Sequence, residues 1–249
     1  MSIGSSKLSL IESKRNTPPL FGAGLIDAIP DKVLEEVAAE QAKASGDKPK
    51  SSEFAAMPVR GRLALLKDGR AGRFGWKASV ASLREFTLQA CSSELGLEVP
   101  GFARAAPPWK SDYKAPGIDL TREQCDTLTR FVASLPRPGE RPANSPEQAD
   151  AIKRGRQLFE SVGCAVCHRP KLGDVDGIYS DFLLHDMGRE LSDSGSYTVL
   201  QPEIASKTKS KQPRAANERE WRTPPLWGLR GCPKSSGRRD FWDFLSSVL

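Results

Sequence analysis

The sequence predicts a mainly α, loop-rich chain, and three observations carry that expectation. Four segments open on a helix-capping residue, and three of them go on to place apolar residues at helical spacing. Glycine (21) and proline (19) together make up about a sixth of the 249 residues, which implies long loops around short elements. The apolar share of 38% and charged share of 27% are polar for a globular protein, yet too apolar for a wholly disordered one. The length suits one large domain or two small ones.

Residues 1–16 are polar, and 17–30, TPPLFGAGLIDAIP, read as a Pro/Gly-bounded loop with a short apolar core. Asp31 is placed to N-cap a helix to about Ala44, with Val33, Leu34, Val37 and Ala38 on one face and Gly46 as its stop. Residues 45–61 are linker-like, and RAGRFGWKA (70–78) is a Gly-punctuated aromatic turn. Ser82 and Glu85 have capping-box spacing, so a helix is expected from there to Gly96, followed by loop over 97–119. Thr121 and Gln124 repeat the spacing. Leu128, Phe131, Val132 and Leu135 then form one stripe, which Pro136 and Pro138 end. The stretch 137–145, RPGERPANS, is linker-like, with the domain boundary drawn at 139–145. Ser145 and Pro146 are an N-cap and an N1 proline. The helix 146–162 is expected to turn Ala151, Ile152, Leu158, Phe159 and Val162 inward, with Gly155 admitting another helix, and it leads straight into Cys164.

The net charge is +6, from 37 basic and 31 acidic residues. The basic residues are scattered, and the densest run, Lys207, Lys209, Lys211 and Arg214, has no interleaved aromatics, so nucleic-acid binding gains no support. No stretch approaches the roughly 20 apolar residues of a membrane span, and the first sixteen residues lack the apolar core of a signal peptide. One internal echo stands out: TPPLFG at 17–22 matches TPPLWG at 223–228, with Arg15 and Arg222 just upstream. It implies two related units, the first starting in the middle of a longer architecture.

Five cysteines, at 91, 125, 164, 167 and 232, are an odd number and not a disulfide scaffold. Two of them sit in GCAVCHRP as Cys164-Ala-Val-Cys167-His168, and His168 is one of only two histidines. Thiols three positions apart can each add to one vinyl group of a haem, and the next residue then offers an imidazole to the iron as proximal ligand. Three other readings use the same residues. A zinc site would take Cys164, Cys167, His185 and Cys232, as in a non-enzymatic, zinc-stabilised binding module. A dithiol redox motif would want βαβ flanks, where helix and loop are expected. The third is a plain buried pair. For the opposite axial position, YSDFLLHDMGREL (179–191) supplies Met187, with His185 as the alternative. On a regular helix only one of these two could face the iron. The plain alternative makes Met187 a packing residue and pairs His185 with Asp186 or a backbone carbonyl.

GRFGWKA (72–78), LFESVGCAVCH (158–168), YSDFLLHDMG (179–188) and EWRTPPLWGL (220–229), in that order, resemble the bacterial di-haem oxidoreductases, relatives of di-haem cytochrome c peroxidase. The resemblance runs from about residue 15 to 229. It implies a cytochrome c-like fold: 1–138 as the C-terminal part of a first domain lacking its haem string, and 146–249 as a haem domain. It also implies one covalent haem c, a redox protein partner and a periplasmic or cell-surface location. The expected function is single-electron transfer, with peroxide reduction in an intact parent. In the peroxidase relatives the distal methionine comes from beyond the last motif, where this chain reads RGCPKSSGRRDFWDFLSSVL, a tail that looks truncated or frameshifted. Trp76 is a candidate electron relay by resemblance, against a plain reading as a core tryptophan.

Overall fold

The computed structural model describes residues 19–44, 59–107, 110, 112–140, 142–193 and 215–227. The charged run at 207–214, the helix stop at Gly46 and Cys232 lie outside them. Among the described residues, five α-helices carry most of the regular structure: α1 (Ala23–Asp27), α2 (Asp31–Ala44), α3 (Leu83–Ser93), α4 (Arg122–Ser134) and α5 (Pro146–Ser161). Four short strands among the described residues form two antiparallel pairs. β1 (Lys171–Leu172) pairs β2 (Val175–Asp176), and β3 (Leu184–Asp186) pairs β4 (Glu220–Arg222) with His185 opposite Trp221. Arg62 bridges to Leu184 on the other edge of β3, so three distant parts of the chain meet at one strand.

The helix starts follow the local chemistry. Ser82 Oγ accepts from Glu85 N, Ser145 Oγ accepts from Gln148 N, and Thr121 and Gln124 form a complete capping box. Asp31 behaves differently. It lies inside α2, and its carboxylate accepts from Ala71 N at 3.0 Å and pairs with Arg73. The long-range partners outcompete the local cap. Residues 23–27, expected in a loop, form one helical turn, because Gly22 adopts φ +73° and its N–H bonds Leu135 O at 3.0 Å.

The main core joins Ala23, Ile26, Leu34 and Val37 to Leu172, Ile178, Phe182, Leu183 and Trp227. One buried cluster therefore draws on both sides of the 139–145 boundary. A smaller cluster between α3 and α4 holds Leu88, Cys91, Val99 and Cys125. The stripe expected on α4 is only partly inward: Val132 is buried and Phe131 is 61% exposed. The inward face expected of α5 is inward only at Phe159, half-buried against His168 and Tyr179; the helix has no fully buried residue, and Ile152, Leu158 and Val162 are exposed. Gly155 faces open space rather than another helix. Periodicity put these apolar residues on one side of α5, but no element among the described residues covers Ile152, Leu158 or Val162.

The two copies of the internal echo touch. A Cβ on Gly22 would intrude on the ring of Trp227, and the Trp227 indole N–H is fixed on Gly177 O at 2.6 Å. Gly22→Ala combines left-handed strain with overpacking and is expected to cost roughly 2–4 kcal/mol. Gly69→Ala, at φ +87° in open space, pays the strain alone. Denaturant midpoints measure both, and equal losses would show that the Trp227 contact is unimportant.

Candidate functional site

The chain leaves α5 at Ser161, turns at Gly163 (φ +87°) and enters a 3-10 turn over Cys164–Val166. His168 N–H closes that turn on Cys164 O at 2.9 Å. Cys164 and Cys167 are both half-buried free thiols. The His168 ring lies beside Phe159, centroids 6.5 Å apart, and Phe159 meets Tyr179 edge-on at 5.9 Å. His168 Nδ1 stands 2.9 Å from Tyr179 O. A carbonyl only accepts, so Nδ1 carries the proton and Nε2 keeps a free lone pair. Tyr179 is held at φ 47°, a strained conformation for a non-glycine residue, and so is Phe182 at φ 54°. These two bends frame Ser180 and Asp181, and the segment 179–183 is irregular rather than helical. Burial pushes the His168 pKa down, only partly offset by the Tyr179 carbonyl, which favours the neutral, ligating imidazole.

Behind the turn lies a buried polar chain. Gly61 N–H donates to Gln41 Oε1 at 2.7 Å, and Gln41 Nε2 donates to Asp181 Oδ2 at 2.8 Å and to Val166 O at 3.2 Å. Asp181 is fully buried; its Oδ1 accepts from Leu183 N at 3.0 Å, and its Oδ2 lies 2.9 Å from His185 Nε2. His185 Nδ1 in turn is 3.9 Å from Cys167 Sγ. Burial alone would lower the His185 pKa, but the hydrogen bond to Asp181, with help from Cys167, outweighs it and raises it to about 10. Arg222 is also buried. Its guanidinium donates to Gly75 O and Thr223 O and lies 5.0 Å from the Phe182 ring; burial lowers its pKa to about 10 against the pull of Asp181.

The structure thus places Cys164, Cys167 and His168 on one turn and brings His185 to Cys167. The plain reading of His185 is corrected: its partner is Asp181, not Asp186 or a carbonyl. Of the residues named for zinc, Cys167 and His185 come together with Asp181, their donor atoms within 4.8 Å of one another; Cys164 is not in that group. Met187 is 46% exposed just past β3, with its N–H on Arg219 O. Trp76 is half-buried, edge-on to Trp221 at 6.3 Å, and Lys77 Nζ lies 3.9 Å over the Trp221 ring. Sequence reasoning missed Asp181, Gln41, Arg222 and the Tyr179 carbonyl. Asp181 and His185, four residues apart in one motif, were the only findable signal among them.

A family model described as "Di-haem oxidoreductase, putative peroxidase" matches residues 7–237. The chain belongs to this family of haem oxidoreductases. No curated protein matches the chain, and no solved structure does. No helix among the described residues is long and apolar enough to cross a membrane.

The residues present fit a haem. An imidazole with a free Nε2 follows two thiols on one turn, and the adjoining helix leaves Leu158 and Val162 open to an apolar cover.

The two histidines give stability opposite pH slopes. His185, raised when folded, contributes fully below its ordinary 6.5, and that contribution is lost as the pH climbs through about 10. His168, lowered when folded, contributes above 6.5 and loses that as the pH falls through its folded value. Denaturation of the haem-free chain is therefore expected to show falling stability from pH 7 to 10. Asp181→Asn should flatten that limb, and an equally steep alkaline limb in the variant would contradict the pairing.

Proposed function

We propose that this chain is a c-type haem protein that passes single electrons between one covalently attached haem and a redox protein partner. Cys164 and Cys167 would form the two thioether links, and His168 Nε2 would ligate the iron. The observation that carries the reading is the His168 Nδ1 to Tyr179 O bond, which leaves Nε2 as the ring's only donor beside the two thiols. One attached haem per chain follows from the single Cys-x-x-Cys-His string in the 249 residues. As the resemblance implies, we place the protein in the periplasm or at the cell surface, where two redox proteins can meet.

Bound at this turn, the haem iron supplies a one-electron couple that the polypeptide lacks. The chain's own part is to position and to exclude water. Tyr179 orients the His168 ring and keeps its proton on Nδ1. Phe159, Leu158 and Val162 offer the apolar surface against which a macrocycle can dry the site. As the second iron ligand, Met187 rather than His185 would hold the haem. Both His185 ring nitrogens face partners already, Asp181 and Cys167, whereas the Met187 side chain is exposed beside the same strand. A thioether there favours electron transfer over an open peroxide site.

When the chain is exported through a c-type maturation system, its haem is expected to survive denaturing electrophoresis. Cys164→Ala with Cys167→Ala should abolish the haem stain, and an unchanged stain would sink the assignment. His168→Ala should keep attached haem but lose the low-spin spectrum. Titration with peroxide beside a reduced donor checks the distal side: little turnover is expected in the parent, and more in Met187→Ala. Sustained turnover that Met187→Ala leaves unchanged would mean that the site is open and Met187 is no ligand.

A further inference from the structure

We infer that, before any haem is attached, Cys167 and His185 form an open site for a zinc-class divalent cation, with Asp181 as the carboxylate that orients the imidazole. Cys167 Sγ and His185 Nδ1 lie 3.9 Å apart. Two such donors around one tetrahedral zinc, at about 2.3 and 2.0 Å, are roughly 3.5 Å from each other, so only a small adjustment separates the pair from a ligating geometry. His185 Nε2 is 2.9 Å from Asp181 Oδ2, which holds the proton on that nitrogen, so the cation would bind at Nδ1, the atom facing the thiol, and displace the proton there. This is the carboxylate–histidine–metal arrangement that fixes ring and tautomer. Asp181 is itself immobilised by Gln41 Nε2 and Leu183 N, and it is fully buried. The three donor atoms fall within 4.8 Å of one another. Sulfur and imidazole donors select a borderline or soft cation over calcium or magnesium. Cys167 is half-exposed, so water completes the coordination and the ion can exchange.

The site draws on the core rather than on α5, since Asp181 and His185 are among the buried residues. It does not rest on the haem reading. It does share Cys167 with it, so the two occupants exclude each other: a thioether sulfur is a poor zinc ligand, and a metal-bound thiolate is withheld from the vinyl group.

The test uses the reduced full-length chain made without haem, with cobalt(II) as spectroscopic probe and zinc(II) as competitor. Cobalt should bind one to one with a thiolate-to-metal charge-transfer band, and zinc should displace it. Cys167→Ser should remove the band, and Asp181→Asn should weaken binding about 10–100-fold. Asp186→Asn, altering an exposed neighbour, should leave it unchanged. A second arm needs no variant: zinc should slow alkylation of Cys167, read by peptide mass spectrometry, far more than that of Cys164. Absence of the band, an affinity unaltered in His185→Ala, or equal protection of Cys164 and Cys167 would each overturn the assignment. The haem stain of the exported chain is a separate readout, so failure of this site and failure of the haem reading are told apart.

Discussion

The buried carboxylate of Asp181 is the constraint around which the rest is arranged. A carboxyl group with no solvent access persists only if its polar atoms are met by partners, and here Gln41, Leu183 and His185 meet them. Leu183 and His185 belong to the same segment as Asp181, whereas Gln41 comes from 140 positions away. Gln41 brings the end of α2, and with it Gly61 and the Val166 carbonyl of the thiol turn. Leu183 leads into β3, and His185 reaches Cys167. Removing one partner from such a charge typically costs about 3–5 kcal/mol, because the carboxylate stays buried. The same network that holds the core together therefore also fixes where Cys167 can be.

The segment 179–182 shows how backbone and site are coupled. Tyr179 and Phe182 occupy left-handed conformations that cost on the order of 1–3 kcal/mol each. Between them, Tyr179 O is aimed at His168, and Asp181 at Gln41 and His185. Ser180 Oγ locks the segment to Thr223 O and to Phe182 N–H. The strain is thus spent where two histidines are oriented, and the second copy of the Thr-Pro-Pro-Leu motif supplies the anchor. That copy also presents Trp227 to Gly22 of the first, so the echo in the sequence is a contact in the molecule.

α5 stands apart. Its cap and its proline at N1 make it a helix on local grounds, yet none of its residues is buried. Helices in proteins owe most of their stability to the packing of an apolar face. A family whose chemistry is carried by haem supplies a reason for the open face, because a haem seated beside the helix would cover it.

What depends on neighbours a few residues away was legible in the order of residues. The caps at Ser82, Thr121 and Ser145 and the thiol–thiol–imidazole turn are of this kind: each is closed by bonds spanning three or four residues. The ordered motifs carried the family. Tertiary structure alone decided that Gln41 meets Asp181 across 140 positions, that Asp31 abandons its cap for Ala71 and Arg73, and that Phe131, Ile152, Leu158 and Val162 face outward. The physical reason is that periodicity records which side of an element is apolar, not what covers it. A buried hydrogen bond between distant residues leaves no spacing in the sequence to read.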